Sequence, residues 1–347
     1  MIWQTTERLT ERRTREETPA HWEVARAAVG LGLRVALQGR PMMRPALVPR
    51  GGYLAGCALV VLAGLVLSLG VICIRAASAS DAWQYLFWRA IGFGLVLAPM
   101  AAWRHGIDPL AQIGRLGGFA WLSVVAMVAS QVCFIVAIKL GSTAEVFFLM
   151  SLAPLMAALL ARPLLGERLG GLGLLAVAIA LVGVALMTGF AADAGQLGGW
   201  DGGWAARILA LGTALSFAVY LLATRGAPRQ DLDAALVAVG IVTALVSGAV
   251  LLWAGLPVAA SARDAGLGLL HGGVILAAGL VLFARGSRVV PGVTLVMLAQ
   301  AETVAAPIWT YLVFAETTTA GVIVGGVLIL VAVVLQASDG AAGTVRA

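Results

Sequence analysis

The chain has 347 residues, of which 61% are hydrophobic and only 12% are charged, and its mean hydropathy is +0.98. These values exclude a soluble globular domain and indicate a membrane protein. The net charge of +6 would fit a nucleic-acid partner, but the positions of the basic residues argue for a different origin of that charge.

Ten apolar stretches follow one another along the chain, and each is close to the roughly 20 residues that a membrane-spanning helix needs. We number them as spans one to ten: 53–74, 84–103, 117–138, 143–161, 169–189, 204–224, 233–254, 267–286, 291–314 and 319–337. They predict an all-α polytopic membrane protein with two five-helix repeats, 51–190 and 204–338, joined by an outer linker at 191–203. An odd number of spans in each repeat inverts one repeat relative to the other, as in many carriers.

The basic residues predict the orientation of these spans. With a cytoplasmic N-terminus, the inner segments after the leader carry nine of them and the outer ends carry four. The inner ones are Arg104, Arg115, Arg162, Arg168, Arg225, Arg229, Arg285, Arg288 and Arg346, and the outer ones are Arg75, Lys139, Arg207 and Arg263. Because Lys and Arg are enriched in cytoplasmic loops, we expect both termini in the cytoplasm, an inner-membrane location and no nucleic-acid partner.

Residues 1–50 differ from the rest, because they carry nine Arg and five Glu. We interpret them as a cytoplasmic Arg-rich leader that is poorly ordered or forms an interfacial helix. Translation from Met42 or Met43, which would leave the leader outside the native protein, is the alternative. Residues 339–347 are expected to form a cytoplasmic tail.

An internal repeat agrees with the division into two halves. Pro154 and Glu167 are 13 residues apart, and Thr303 and Glu316 have the same separation. Each glutamate follows one span and precedes the last span of its half. Inversion of the halves would place Glu167 inside and Glu316 outside.

The membrane region, about 52–338, resembles the EamA-like branch of the drug/metabolite transporter superfamily. The resemblance rests on the ten spans, Arg89 in span two, the Ala-Ile-Lys end of span three and the proline-to-Leu-Gly-Glu pattern after span four. The second half departs from it, with Thr303 in place of the proline and Phe-Ala-Glu in place of Leu-Gly-Glu. The resemblance implies a central cavity between spans 1–4 and 6–9, with spans 5 and 10 at the periphery. Members carry diverse cargo, so it does not name the substrate.

Two ionisable side chains within the spans are the strongest candidates for function, because charge at bilayer depth is costly. Glu302 lies near the middle of span nine, where it would bind a cationic group or carry a proton; a structural glutamate between helices is the alternative. Arg89 would meet an anionic group in the cavity, snorkel to the outer interface, or pair with a carboxylate such as Glu145.

Polar residues arranged along helix faces extend this candidate substrate site. They line a cavity or form interhelical hydrogen bonds, and isolated Ser and Thr usually do the latter. The full predicted set is Glu302, Gln131, Arg89, Gln300, Thr303, Trp309, Tyr220, Ser216, Ser151 and Ser68. We interpret His271, close to the predicted outer end of span eight, as an interface residue rather than a proton relay.

Small residues four apart allow helices to approach closely. Such pairs are Gly64 with Ser68, Gly268 with Gly272, and Gly321 with Gly325. The pair in span ten is a candidate homodimer face, because the resemblance makes that span peripheral.

The sequence predicts a secondary transporter, an exporter of a small organic metabolite or drug-like compound that works by alternating access, with possible proton coupling or exchange. The alternative is a non-transporting scaffold or a channel-like subunit. An enzyme is not expected, because no hydrolase or metalloprotease motif is present. The three His and three Cys lack metal-ligand spacing, so we expect no metal and no cofactor.

Overall fold

The computed structural model describes residues 50–105, 109–165, 171–193 and 202–345. Every regular element in these ranges is helical. The predicted leader at 1–49, Glu167 and most of the outer linker lie outside the described residues.

The described helices follow the predicted spans in order. Span one comprises Arg50–Ser68 and Gly70–Ala76, span two Ala82–His105, span three Gly118–Leu140, span four Thr143–Met150 and Ala153–Leu165, and span five Gly171–Asp193. Span six is Gly202–Gly226, span seven Arg229–Trp253, span eight Ala262–Leu269, Leu270–Leu276 and Ala277–Gly286, span nine Gly292–Ala299 and Ala301–Phe314, and span ten Ala320–Val345; a short helix, Pro109–Ile113, joins spans two and three.

Within the described ranges, nine spans are long and apolar enough to cross a membrane. In span five the apolar helix Gly171–Met187 is shorter. The all-helical membrane fold is therefore confirmed, and the count of ten crossings stays a prediction at span five.

Span eight begins five residues earlier than its hydropathy predicts, at Ala262 rather than at residue 267. Ser261 caps the helix, since its hydroxyl accepts a hydrogen bond from the backbone N–H of Asp264 at 3.0 Å. Serine at this position satisfies a backbone donor that the first helical turn leaves unpaired. The polar first turn therefore belongs to the helix, although it lowers the hydropathy of that segment.

Three spans are interrupted near their middle. Span one breaks at Leu69, span four between Met150 and Ala153, and span nine at Gln300. Ser151 and Gln300 each lie three residues before the matched positions Pro154 and Thr303 of the internal repeat. The two halves thus interrupt their fourth spans at equivalent positions. Broken helices of this kind are tolerated in membranes where protein or a cavity surrounds them.

Span eight has a wider turn of π-helix at Leu270–Leu276. Gly272 lies in this segment and packs against span two so closely that a Cβ there would collide with the carbonyl oxygen of Arg89. Gly92 of span two reciprocates, since a Cβ on it would lie 2.5 Å from the carbonyl oxygen of Leu269. Glycines therefore set the separation of spans two and eight, as the pair Gly268 and Gly272 predicts.

Most contacts between the halves come in pairs that a shift of five spans relates to each other. Span three packs against span six and span eight against span one; span four contacts span six and span nine contacts span one; span two contacts span eight and span seven contacts span three; spans two and seven, four and nine, and five and ten also pair. Span ten also contacts span four, and the described residues show no comparable contact of span five with span nine. The related pairs support two copies of one five-span unit, and the inversion of those copies stays a prediction.

The glycines of span ten do not form an exposed face. Gly321 and Gly325 are both buried, and a Cβ at Gly183 of span five would lie 2.7 Å from the carbonyl oxygen of Gly325. The argument for a dimer face from this pair is therefore wrong, because span five of the same chain already occupies it. A homodimer through other residues of span ten stays a prediction.

Candidate functional site

Arg89 and Gln131 form a direct contact between spans two and three. Arg89 is 6% exposed, and its Nη1 donates a hydrogen bond of 2.6 Å to Oε1 of Gln131. Each residue lies about 10–14 Å from the outer end of its helix, at about 1.5 Å per residue. The guanidinium is therefore held inside the bundle and does not snorkel to the interface.

Glu302 lies beside this contact, in the first turn of the second half of span nine. Its carboxylate interacts electrostatically with Arg89. Span one approaches closely here, because a Cβ at Gly64 would lie 3.0 Å from the backbone nitrogen of Glu302. We call Arg89, Gln131 and Glu302 the Arg89 group; it combines donors, an amide and a carboxylate contributed by three spans.

Four predicted residues are paired with each other near the breaks of spans one and nine. Trp309 Nε1 donates to the hydroxyl of Ser68 at 2.9 Å, and that hydroxyl donates to the carbonyl oxygen of Leu65 at 2.7 Å. The Thr303 hydroxyl donates to Oε1 of Gln300 at 3.2 Å. Ser68 and Trp309 thus join span one to span nine, which is the structural role expected of an isolated serine.

The remaining predicted residues have local contacts. The Ser151 hydroxyl donates to the carbonyl oxygen of Phe148 at 2.6 Å. The ring of Tyr220 stacks on Phe217 with centroids 5.5 Å apart, and Ser216 is half-buried one turn away on the same helix. None of these contacts involves the Arg89 group, so their place in a substrate site stays a prediction.

His271 is buried, and its interpretation as an interface residue is wrong. It is 3% exposed, and its Nδ1 is hydrogen-bonded to the Tyr85 hydroxyl at 2.8 Å. The error follows from the start of span eight, because the helix begins at Ala262 and His271 therefore lies about 14 Å into it. The Tyr85–His271 pair joins span eight to span two, one turn from Arg89. In the sequence, only its spacing of four residues from Arg89 would have indicated that Tyr85 belongs to this region.

Glu145 does not pair with Arg89. It forms an ion pair with Arg207, with Oε1 of Glu145 accepting from Nη2 of Arg207 at 2.9 Å, and both side chains are largely buried. The Arg207 guanidinium also lies 5.4 Å from the ring of Trp204, a favourable position for a cation. This contact joins the outer ends of spans four and six.

Glu316 joins three outer segments. Its Oε1 accepts from Arg75 Nη2 at 3.0 Å and from the backbone N–H of Thr143 at 2.7 Å, and its Oε2 accepts from the Thr143 hydroxyl at 3.0 Å. A carboxylate at the N-terminus of span four is stabilised by the exposed backbone donors there. We call Arg75, Thr143 and Glu316 the outer latch; it connects spans one and four to the loop between spans nine and ten.

The first outer loop is held from two sides. Lys139 donates to the carbonyl oxygens of Ala77 and Ser80. Asp264 accepts from the backbone N–H of Ser80 at 2.7 Å. Together with the outer latch, these contacts close the end of the bundle predicted to face outside.

An open cavity of about 140 Å³ lies at the other end, between spans two, seven and eight. Apolar side chains line it together with one acid: Leu97, Met100, Ala101, Leu236, Leu280, Val281, Phe283, Ala284 and Asp233. Within the described residues, no cluster of three His, Cys, Asp or Glu side chains is placed to hold a metal ion. The described contacts thus tie the outer ends of several spans together.

Comparison with known proteins identifies the first half. Residues 54–189 match the model of the EamA-like transporter family, which belongs to the drug/metabolite transporter superfamily. This part of the chain is similar to EamA-like transporters. The matched residues include Arg89 and Gln131, and the EamA family is a family of transporters rather than enzymes.

Among solved structures, one titled "Crystal structure of protein" has a TM-score of 0.56 at 17% sequence identity, covering 83% of this chain and 96% of the other. At this identity the likeness shows the fold alone. No curated protein matches the chain. The chain is thus a multi-pass membrane protein whose residues 54–189 are similar to the EamA-like transporter family.

Proposed function

We propose that this protein is a secondary carrier that exports a small organic molecule across the cytoplasmic membrane by alternating access, with both termini in the cytoplasm. The observation that carries the proposal is the Arg89 group. It places a cation and a carboxylate at bilayer depth, where each charge is expensive and needs a reason.

The interrupted helices support a binding role for that region. Spans one and nine break beside Ser68 and Gln300, close to Glu302, and span eight widens at His271. Breaks in helices free backbone groups, and carriers commonly use such breaks to build a substrate site near the midplane. Small rearrangements at the breaks of spans one and nine and at the wider turn of span eight also fit a site that opens to alternate sides.

The closed outer end supports an inward-facing conformation. The outer latch and the Glu145–Arg207 pair tie outer segments of both halves together. In an alternating-access cycle these contacts separate when the site opens outward. An exporter loads its cargo from the inner side, which is the side opposite these contacts.

The test uses purified protein in sealed vesicles. Comparing metabolites in cells with and without the protein supplies the compounds to load. A carrier gives saturable flux that selects among these compounds, a channel gives flux linear in concentration, and a scaffold gives none. Either of the last two results would overturn the proposal.

A further inference from the structure

The guanidinium of Arg89 keeps one hydrogen-bonding position unused inside the protein. Its Nη1 is bonded to Gln131, but its Nε is buried and has no hydrogen-bond partner in the described structure. An unpaired donor on a buried charged group carries the full desolvation penalty of that group. Such a donor indicates a missing partner.

The neighbouring polar groups do not fill this position. Tyr85 and His271 are hydrogen-bonded to each other. Glu302 is the carboxylate that interacts electrostatically with Arg89, yet no ion pair joins the two among the described residues. The missing partner is therefore expected to come from outside the chain.

We propose that Arg89 is an oxyanion subsite that binds a carboxylate of the cargo. The Nε–H and the adjacent Nη2–H of a guanidinium point the same way, and their spacing matches the two oxygens of a carboxylate. Gln131, which occupies Nη1, is then a positioning residue that fixes the direction of this edge. The inference rests on the proposed carrier function and narrows the cargo to carboxylates, whether plain organic acids or zwitterions whose ammonium faces Glu302.

The experiment measures ligand-dependent thermal stability of the purified full-length protein in detergent. The probes are carboxylic acids, each paired with its own primary amide, and α-amino acids with matching side chains. We expect at least one acid to raise Tm and its amide to leave Tm unchanged. A shift from plain acids indicates an organic-acid cargo, and a shift confined to the amino acids indicates the zwitterion.

Arg89→Gln is expected to abolish the acid-dependent shift, and Arg89→Lys to weaken acid binding about tenfold or more, because lysine keeps the charge but loses the two-point edge. Gln131→Glu leaves Arg89 in place but supplies an internal carboxylate that competes with the acid, so it is expected to weaken acid binding about tenfold. This variant tests the subsite even if the Arg89 variants do not fold. The matched control is Arg225→Gln, which changes an exposed arginine in the last turn of span six. It is expected to keep the full acid-dependent rise in Tm.

Equal shifts from acids and amides, no shift from any acid, or a full shift in both Arg89→Gln and Gln131→Glu would overturn the inference. Binding in detergent does not require transport, so the outcomes separate the two proposals. Acid binding without vesicle flux would contradict the carrier proposal and support the oxyanion subsite. Saturable flux of a compound that lacks a carboxylate would support the carrier proposal and contradict the oxyanion subsite.

Discussion

Glu302 shows how a single acidic residue constrains the function of the whole chain. It lies in the first turn of a half-helix, within electrostatic range of Arg89 and against the closest approach of span one at Gly64. Packing alone would accept a neutral residue of the same shape. We therefore expect the carboxylate to have an exchangeable partner, a proton or a cationic group.

Glu302→Gln tests that explanation because glutamine keeps the size and loses the charge. We expect normal expression with flux lost, or flux that no longer responds to an imposed proton gradient in vesicles. Asp231→Asn, at the inner end of span seven and outside the Arg89 group, is the matched control. Flux in Glu302→Gln that equals the parent at every gradient would remove Glu302 from coupling and from the site.

Ala315 is the residue where the second half departs from the Leu-Gly-Glu pattern of the first. It ends span nine with φ of 52°, a left-handed conformation that glycine adopts at little cost and that strains residues with a Cβ. Its backbone N–H bonds to the last turn of the helix, and this turn directs the next residue, Glu316, into the outer latch.

Ala315→Gly is expected to raise stability by about 0.5–1 kcal/mol, because the strain is relieved and an exposed side chain is all that is lost. Ala315→Val, with a branched side chain in the same conformation, is expected to lower it by more than that. Thermal unfolding in detergent measures both. Destabilisation by glycine would show that the left-handed turn is not strained.

At the scale of helices, the sequence predicts the type and order of the apolar elements but not their irregularities. Hydropathy and charge locate the spans because burial in lipid demands long apolar runs. The start of span eight at Ala262 depends on one capping hydroxyl, and the break of span nine lies at Gln300, seven residues before the Pro307 that suggests a kink. Pairings between distant spans, such as Tyr85 with His271 or Glu145 with Arg207, have no local signal because they depend on how helices pack.

Gly92→Ala tests the close packing of spans two and eight. A methyl group at this position meets backbone atoms of Leu269, which cannot move aside as a flexible side chain can. Overpacking of this kind costs about 1–3 kcal/mol. Gly94→Ala, two residues along the same helix, has open space around it and is expected to be neutral or slightly stabilising.

Thermal unfolding compares the two variants under the same conditions, and vesicle flux reports whether the altered crossing also reaches Arg89. Equal melting temperatures for both would show that spans two and eight adjust freely. That result would also weaken the view that glycines fix the position of the Arg89 group.

At the scale of the molecule, closure of the outer end depends on contacts between the halves. Arg75 belongs to the first half and Glu316 to the second, and Thr143 adds the N-terminus of span four. Cys73 is two residues before Arg75 in the last part of span one and is 5% exposed. This native thiol is therefore a reporter of outward opening once Cys57 and Cys133 are replaced by alanine.

Breaking the outer latch is expected to shift the molecule toward the outward-open state. Arg75→Glu or Glu316→Arg alone leaves like charges facing each other, so a membrane-impermeant thiol reagent added outside is expected to label Cys73 several-fold faster. The double variant Arg75→Glu with Glu316→Arg restores the ion pair but not the hydrogen bonds from Thr143 to a carboxylate. It is therefore expected to recover the slow labelling of Cys73 only in part. Arg263→Glu changes the same charge at an exposed outer position and is expected to leave the rate unchanged. Slow labelling in both single variants would show that the helices close this end without the latch. Fast labelling in Arg263→Glu would show that surface charge alone controls the rate at which the reagent labels Cys73.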